Sequence, residues 1–457
     1  MFRMISFDKI DQYDWLYDLY MNYLCVAHNY IYYRHFYILN KENIPPKGQP
    51  TIVIANHQNG LMDALAILHT MFQDRRQPVF IARGDIFKKD GVARILRFLK
   101  IMPTFRSRDG NRDDIRSNLA LYNRAAKVLK AGGTLVIFPE ATHQHGHYMN
   151  TFKKGFCRIA FSAEEINDFK LGVQVLPLNI HYSNYFNFRS DLMVTVGKPF
   201  TFEEFFELYK ESPNEAYLAL NEKARARVKE LTPDIDIPEY LNEIEDLTQM
   251  MSRPYLKRKG LRPNFLPNQK DAAMTIIANL KQFQTEDPEA FTQLMDNTHE
   301  YHRLLHENGL THWVINRKPS IARLTLRILG LVLLFPLFLF GLINNYIPRR
   351  LTKMFTDKAK DPMLTSSFQY VTGTVFTFPV FYLILFAVVW IISHKFWIAL
   401  LYILLTFATA FLVHYYRIWC HRLMTFFRAM HLRKTEVYQK LCQLNRQIAS
   451  TMERILH

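Results

Sequence analysis

The stretch TIVIANHQNGLMD, residues 51–63, places an apolar, β-type run directly before a polar cluster. Comparable short runs follow it along the chain, namely PVFIAR, IMPTF, TLVIFPE and VQVLPLNIHY, with helical patterns between them. Strands that alternate with amphipathic helices are typical of an α/β domain built on a parallel sheet. We therefore predict an α/β domain over residues 41–200.

Three of these runs end in polar residues, and α/β sheets gather their chemistry at the carboxyl ends of strands. The first cluster contains His57 and Asp63. A histidine accepts a hydroxyl proton near neutral pH, and a carboxylate holds its imidazole in the tautomer that this requires. A regular helix would keep residues six positions apart on different faces, but Gly60 allows a turn between them. The alternative is an ordinary helix start that leaves His57 exposed.

Two arginines follow the strand IMPTF, at Arg106 and Arg108. Side chains alternate along a strand, so the two guanidinium groups would share one face. A guanidinium pairs bidentately with phosphate oxygens, which makes this strand end a candidate phosphate site. The alternative is a basic strand end that is simply solvated.

The run TLVIFPE ends at Glu140, a carboxylate that could hold an acceptor hydroxyl or anchor the arginines. Three histidines alternate after it, at His143, His145 and His147. No nearby acidic or cysteine ligand completes a metal site there. We therefore predict a polar loop and no metal.

In order and spacing, these clusters resemble the motifs of the glycerolipid acyltransferases, the family of the lysophosphatidic acid and glycerol-3-phosphate acyltransferases. The residues that carry the resemblance are Asn56, His57 and Asp63, residues 105–108, Phe138-Pro139-Glu140, and Leu176-Pro177. The turn Phe-Lys-Lys-Gly at residues 152–155 resembles the basic-glycine turn that follows the third motif. The match covers residues 45–200 and predicts an α/β acyltransferase domain, followed by a helical region and C-terminal membrane helices.

The first and third motifs depart from the family pattern. Five residues instead of four separate His57 from Asp63, and Met62 occupies the position where the carboxylate would fall. Asp63 substitutes for it only if the turn is wound differently. Ala141 stands where glycine is usual in the third motif. In the second motif, either Arg106 or Arg108 matches the family arginine, depending on the alignment.

The resemblance implies acyl transfer from acyl-CoA or an acyl carrier protein to a hydroxyl of 1-acyl-sn-glycerol-3-phosphate in phospholipid biosynthesis, without a cofactor. His57 would act as the base and Asp63 would orient it. Substrate binding would fall to Arg106, Arg108, Glu140 and Lys153. The alternatives are a glycerol-3-phosphate acyltransferase, an acyltransferase for another lysolipid or an amino-acid lipid, and a non-catalytic membrane scaffold.

The charge of the 457-residue chain favours acidic partners, since 57 Lys+Arg against 41 Asp+Glu give a formal net charge of +16. No nucleic-acid-binding module is recognisable and the basic residues flank apolar segments, so we expect anionic membrane lipid and no nucleic acid as a partner. The four cysteines are far apart and form no CxxC pair, which argues against a disulfide framework or a zinc ribbon.

The N-terminal residues 1–40 are rich in Tyr and Trp, which prefer the headgroup level of a membrane. They predict an interfacial segment or, alternatively, an aromatic helix packed on the following domain. No cleavable export signal is evident, so we expect the catalytic domain on the cytoplasmic face. Residues 201–316 lose the strand pattern and predict a helical insert or linker domain.

Three apolar stretches follow, at residues 328–347, 375–392 and 396–413, within a membrane region assigned to residues 317–430. The last two are long enough to span a membrane, and the three residues between them predict a tight hairpin. Their basic outer flanks place both outer ends in the cytoplasm. The first stretch has Pro336 in its middle and arginines at both ends, which favours a re-entrant or interfacial helix over a third span. A cytoplasmic helix is predicted over residues 431–457.

Overall fold

The computed structural model describes residues 10–72, 75–104, 112–142, 146–315, 320–358 and 361–456. These residues form two compact units. The first unit reaches to Asp234 and also includes the segment Asp361–Ser367, whereas the second holds Ile235–Lys360 and Phe368–His457. The boundary therefore lies beyond residue 200, where the strand pattern of the sequence ends.

The first unit is built on a mixed sheet of seven strands within the described residues. The strands are β1 (His35–Leu39), β2 (Thr51–Ala55), β3 (Val79–Arg83), β4 (Ile101–Thr104), β5 (Thr134–Ile137), β6 (Gln174–Tyr182) and β7 (Asp191–Val196). Their order across the sheet is β1-β7-β6-β2-β5-β3-β4, and every neighbouring pair is parallel except β6 and β7. The sequence analysis predicted β2 to β6 correctly.

The central strand β2 is buried along its whole length, as expected for a parallel strand covered on both faces. It pairs with β5 on one side and with β6 on the other. In register, Ile54 lies opposite Ile137 of β5 and Pro177 of β6. The polar residues that follow β2 and β5 therefore emerge at one edge of the sheet, next to the second half of the longer β6.

Strands β1 and β7 correct the predicted start of the domain at residue 41. Residues 35–39, assigned from the sequence to the interfacial segment, pair in parallel with Asp191 to Thr195 of β7. Arg34 supports this pairing, because its Nε donates a hydrogen bond of 2.9 Å to Asp191 Oδ1. The strand β1 lies at the edge of the sheet and is only partly buried, so its sequence, HFYIL, lacks the continuous apolar run of a central strand.

Seven helices accompany this sheet in the described residues. They are α1 (Trp15–Val26), α2 (Leu61–Phe72), α3 (Asp90–Phe98), α4 (Arg112–Lys130), α5 (Gly155–Ile166), α6 (Phe206–Glu211) and α7 (Pro213–Lys229). The apolar core contains side chains such as Ile52 of β2, Leu135 of β5, Phe161 of α5 and Leu220 of α7. Helices α6 and α7 therefore belong with the sheet, although the sequence analysis assigned them to the linker domain.

Helix α1 has two apolar faces. Tyr17, Met21 and Leu24 are buried in the first unit, whereas Trp15 and Leu19 are 69% and 61% exposed. Residues spaced by four positions share one face of a helix, so the exposed aromatic and aliphatic side chains form a stripe. A π-helical turn follows α1 and continues this segment to residue 32. The packed-helix interpretation thus holds for one face, and the other face is exposed.

The second unit is helical. Its helices are α8 (Leu241–Arg258), α9 (Leu266–Glu286), α10 (Pro288–Glu307), α11 (Ile321–Asn344), α12 (Tyr346–Thr356), α14 (Phe378–Ser393), α15 (Phe396–Leu432) and α16 (Glu436–Ile455), with the short α13 (Thr365–Phe368) at the point where the chain passes between the units. The C-terminal α16 buries Leu441, Leu444, Ile448 and Met452 in a core shared with α8 to α10.

Three helical stretches in the described residues are long and apolar enough to cross a membrane, at Ile321–Asn344, Pro362–Ser393 and Phe396–Leu432. The last two include the pair predicted as a hairpin. Between them His394 adopts a left-handed backbone conformation, with φ of +54°, and Lys395 is the N-cap residue of α15, which begins at Phe396. The ring of Phe396 contacts that of Trp390 across this turn, with their centroids 6.2 Å apart.

Helix α11 ends beside the middle of the apolar part of α15. Asn345, which follows α11 and is fully buried, donates a hydrogen bond of 3.2 Å from Nδ2 to the Thr406 carbonyl. Tyr402 donates a hydrogen bond of 2.5 Å to Asn344 Oδ1. Further back along α11, the Leu331 carbonyl accepts a hydrogen bond of 3.1 Å from Tyr416. The two helices are therefore antiparallel, and the polar end of α11 lies among apolar residues of α15.

Candidate active site

The candidate site lies at the edge of the sheet where β2, β5 and β6 carry their polar side chains. Asn56, the first residue after β2, fixes this arrangement. Its Nδ2 donates a 3.0 Å hydrogen bond to the Ile180 carbonyl of β6, and its Oδ1 accepts a 2.7 Å hydrogen bond from the Ile180 amide. This pair of hydrogen bonds to the backbone of the neighbouring strand sets the direction in which the chain leaves β2.

The structure brings the predicted pair together. His57 Nδ1 lies 2.8 Å from Asp63 Oδ2, and the Asp63 side chain is fully buried. The same carboxylate oxygen accepts hydrogen bonds from the backbone amides of Gln58 and Asn59, each of 2.7 Å. A hydrogen bond from Nδ1 to a carboxylate selects the tautomer with its lone pair on Nε2. The geometry therefore provides an oriented histidine with a proton-accepting nitrogen.

The turn after His57 explains how one additional residue is accommodated. Gly60 has a left-handed backbone, with φ of +49°, and α2 begins at the next residue. Met62 is fully buried, and Asp63 in the first turn of α2 reaches back to the loop. The differently wound turn required by the longer spacing is thus present.

Tyr182 is a site residue that the sequence analysis missed. It ends β6, and its hydroxyl donates a 2.6 Å hydrogen bond to Asp63 Oδ1. Burial raises the pKa of Tyr182 well above its ordinary value, so the phenol remains a donor. Its position at the end of the strand next to β2 was the available signal. Both oxygens of Asp63 are therefore hydrogen-bonded.

Glu140 connects the first and third motifs. Its Oε1 accepts a hydrogen bond of 2.9 Å from the His57 amide, and its Oε2 accepts one of 3.0 Å from the Asn150 amide. Burial raises the pKa of Glu140 to about 7, and the two amide hydrogen bonds oppose that rise. Phe138 stacks on the His57 ring, with centroids 4.2 Å apart and an interplanar angle of 18°. This bridge between backbones was not among the roles predicted for Glu140.

A segment from far along the chain packs on the same turn. Ser366 donates a 2.6 Å hydrogen bond to Asn59 Oδ1, and Asn59 Nδ2 donates one of 3.1 Å to the Tyr185 carbonyl. A Cβ on Gly60 would lie 2.7 Å from Leu364 Cδ2. The two partners Ser366 and Asn59 are 307 residues apart in the sequence, and no local pattern signals such a contact.

The remaining predicted residues lie nearby or outside the described part. Arg106 and Arg108 are outside the described residues, and β4 leads toward them as far as Thr104. The Lys153 side chain is exposed, and its amide donates a 2.8 Å hydrogen bond to the Pro139 carbonyl in the third motif.

Of the three alternating histidines, His147 stacks on His181 with ring centroids 5.3 Å apart, whereas His143 and His145 lie outside the described residues. Within the described ranges, no group of three or more His, Cys, Asp or Glu side chains is arranged to hold a metal ion.

The family model described as Acyltransferase matches residues 35–181. A 1-acyl-sn-glycerol-3-phosphate acyltransferase of Borreliella burgdorferi is 29% identical over 149 residues, which are 33% of this chain and 52% of that protein. A chloroplastic 1-acyl-sn-glycerol-3-phosphate acyltransferase of Arabidopsis thaliana is 26% identical over 148 residues, 32% of this chain and 36% of that protein.

A solved structure is also similar, the 1-acyl-sn-glycerophosphate (LPA) acyltransferase from Thermotoga maritima. It is 24% identical, with a TM-score of 0.34 over 50% of this chain and 85% of that chain. The matched region spans about half or less of the length of the two curated relatives. The family model and these relatives lead to one assignment: residues 35–181 form an acyltransferase domain, similar to the matched regions of 1-acyl-sn-glycerol-3-phosphate acyltransferases.

Proposed function

We propose that the protein transfers a fatty acyl group from a thioester donor to a hydroxyl of 1-acyl-sn-glycerol-3-phosphate in phospholipid biosynthesis. The donor is acyl-CoA or an acyl carrier protein. The observation that carries the proposal is the hydrogen-bonded pair of His57 and Asp63 at the end of β2. Two curated relatives matched over this region are named for that reaction, which supports the same acceptor here.

In this proposal, His57 Nε2 takes the proton of the acceptor hydroxyl as its oxygen attacks the thioester carbonyl carbon. Asp63 stabilises the imidazolium that forms, and it is itself held by Tyr182 and two backbone amides. The C–S bond then breaks, and the departing thiolate takes the proton from His57. General-base help of this kind contributes about 10²–10⁴-fold to the rate.

The acceptor phosphate is assigned to three basic residues. Arg106 and Arg108 follow β4, and Lys153 precedes helix α5, which begins at Gly155. Arginine offers the fork that matches phosphate oxygens, and lysine adds a point charge. The proposed role of Glu140 is to hold the loops that carry His57 and Asn150, and so to shape the pocket for the acceptor.

Membrane attachment follows from the insolubility of the acyl chains. The exposed face of α1 and the long apolar helices are the proposed attachment surfaces, with the acyltransferase domain on the cytoplasmic face. We expect anionic lipid in the membrane around these helices, since basic residues flank the apolar stretches.

The test uses purified full-length protein in nanodiscs with radiolabelled oleoyl-CoA, or oleoyl-acyl carrier protein in a parallel reaction. Each donor is paired with 1-oleoyl-glycerol-3-phosphate, glycerol-3-phosphate or lysophosphatidylcholine. We expect phosphatidate as the main product, and a loss of at least about 10²-fold in His57→Ala. His306→Ala, which removes an exposed histidine in α10, is the matched control.

Three results would contradict the proposal. A higher kcat/KM with glycerol-3-phosphate or lysophosphatidylcholine would assign a different acceptor to the same chemistry. Wild-type rates in His57→Ala would show that the histidine is not the base. If no pair of donor and acceptor gave a product, the non-catalytic membrane scaffold would be favoured.

A further inference from the structure

The second unit contains an open basic groove of about 470 Å³ between helix α12, helix α15 and the short 3-10 helix His312–Val314. Its lining residues, here called the arginine groove, are Trp313, Arg349, His414, Arg417, Ile418, His421 and Arg422. The groove belongs entirely to the second unit, whereas His57 and Asp63 belong to the first. It is therefore not part of the candidate active site.

The arginine groove concentrates positive charge without a matching carboxylate. Arg349 is half-buried, and its burial together with the neighbouring charge of Arg417 lowers its pKa. In the described part of the chain, Arg349, Arg417 and Arg422 form no ion pair, and helix α15 contains no Asp or Glu at all. Like charges that share a partly desolvated site repel each other, and an anion between them would remove that penalty.

The groove begins where the apolar part of α15 ends. Residues 396–413 are apolar, and the polar lining starts one residue later at His414. Next to it on the same helix, Tyr415 and Trp419 stack with ring centroids 6.4 Å apart. Aromatic rings of this kind mark the headgroup level in membrane helices. A ligand with a phosphate at this level and apolar chains along the helix fits both parts.

We propose that the arginine groove binds the phosphate of an anionic phospholipid headgroup from the surrounding membrane. Arg349, Arg417 and Arg422 supply guanidinium donors to the phosphate oxygens, and the acyl chains lie along exposed apolar side chains on the same face of α15, such as Leu404 and Phe407. The binding does not require acyl transfer, so it stands apart from the proposed reaction.

The experiment titrates purified full-length protein in neutral detergent with dioctanoylphosphatidylglycerol, which is neither the proposed acceptor nor its product. Binding is measured by microscale thermophoresis for wild type and for the triple variant Arg349→Gln, Arg417→Gln, Arg422→Gln. The matched control, Arg323→Gln, Arg327→Gln, Arg350→Gln, removes three exposed arginines of α11 and α12 that do not line the groove.

We expect the groove variant to bind at least about tenfold more weakly, because charge-assisted hydrogen bonds are lost, and the control to stay close to wild type. Dioctanoylphosphatidylcholine and inorganic phosphate should each bind wild type more weakly than the anionic lipid. If the triple variant is unstable, Arg417→Gln compared with Arg350→Gln gives the same contrast with single exposed residues.

Three results would overturn the proposal. Equal losses in the groove and control variants would mean a general effect of charge. Equal binding of phosphatidylcholine would mean that the apolar chains alone bind. Inorganic phosphate binding as tightly as the lipid would make the groove a site for a small free anion.

Discussion

Asp63 Oδ2 lies 2.8 Å from His57 Nδ1 although the two residues are six positions apart, and the same oxygen accepts the two amides of the loop between them. One carboxylate therefore orients the histidine and also holds the turn that brings the pair together. A substitution at this position therefore affects both the orientation of the histidine and the turn.

Asp63→Asn should lower kcat by at least about 10²-fold, because the amide cannot stabilise an imidazolium as a carboxylate does. The measurement is the steady-state rate of acyl transfer at saturating acceptor. Asp168→Asn, an exposed residue with a left-handed backbone that asparagine also tolerates, is the control and should retain wild-type kcat. A wild-type kcat in Asp63→Asn would mean that another group orients His57.

Glu140 should make stability depend on pH. Burial raises its pKa from 4.5 to about 7, so between these values the folded protein holds a proton that the unfolded chain has lost. Stability falls as pH rises wherever the folded state binds more protons. Between pH 4.5 and 7, the Tm of wild type should therefore fall relative to that of Glu140→Gln, by the equivalent of up to about 3 kcal/mol.

Differential scanning fluorimetry across this pH range checks the prediction for Glu140. Glu211→Gln, which changes an exposed carboxylate in α6, is the control and should follow wild type at every pH. If the curves of Glu140→Gln and wild type run parallel, the burial of Glu140 does not carry the expected proton linkage.

Ser366→Ala should destabilise the first unit by about 1 kcal/mol, because the buried Asn59 Oδ1 loses its hydrogen-bond donor. It should also reduce kcat, because the backbone amide of Asn59 donates a hydrogen bond to Asp63. The adjacent Ser367→Ala is a close control, since Ser367 is also buried and its Oγ makes no hydrogen bond in the described structure. Tm and kcat are measured for both. Equal effects of the two substitutions would remove the hydrogen bond as the cause.

Ala141→Gly should stabilise the protein. Ala141 has φ of +61°, in the left-handed region where a Cβ costs roughly 1–2 kcal/mol, and glycine is the usual residue of the family at this position. The greater entropy of glycine in the unfolded chain offsets part of the gain, so we expect about 1 kcal/mol, read as a higher Tm. An unchanged or lower Tm would indicate that the alanine methyl group makes compensating contacts.

The polar end of α11 beside Thr406 supports a re-entrant helix pair in place of a third span. Single cysteines at Ser320 and Lys358, introduced after the native cysteines are removed, should therefore react with an impermeant maleimide from the same side of the membrane. A cysteine at Ser450 in α16 should react from that side too, and one at Ser393 in the hairpin turn from the other. Labelling of positions 320 and 358 from opposite sides would establish a third span.

The sequence predicts best where the chemistry is local. The run before His57 is wholly buried and therefore apolar throughout, so both β2 and its polar end were recognisable. Edge strand β1 was missed because its partial exposure allows a mixed composition. Tyr182 lies 119 residues from Asp63, and only the order of strands β6 and β2 reveals that they meet. Side chains that act across the sheet thus require the topology as well as the pattern.

The contact of Leu364 and Ser366 with the turn at Gly60 bears on how this protein is divided for study. A fragment ending near Asp234 would contain every family motif and the whole sheet, yet it would leave Asn59 without one of its buried partners. The first unit, which contains the acyltransferase domain, is discontinuous in the sequence, and its last seven residues follow residues 235–360 of the helical unit. Expression of the first unit alone, or its transfer into a chimera, needs the segment Asp361–Ser367 joined back by a linker.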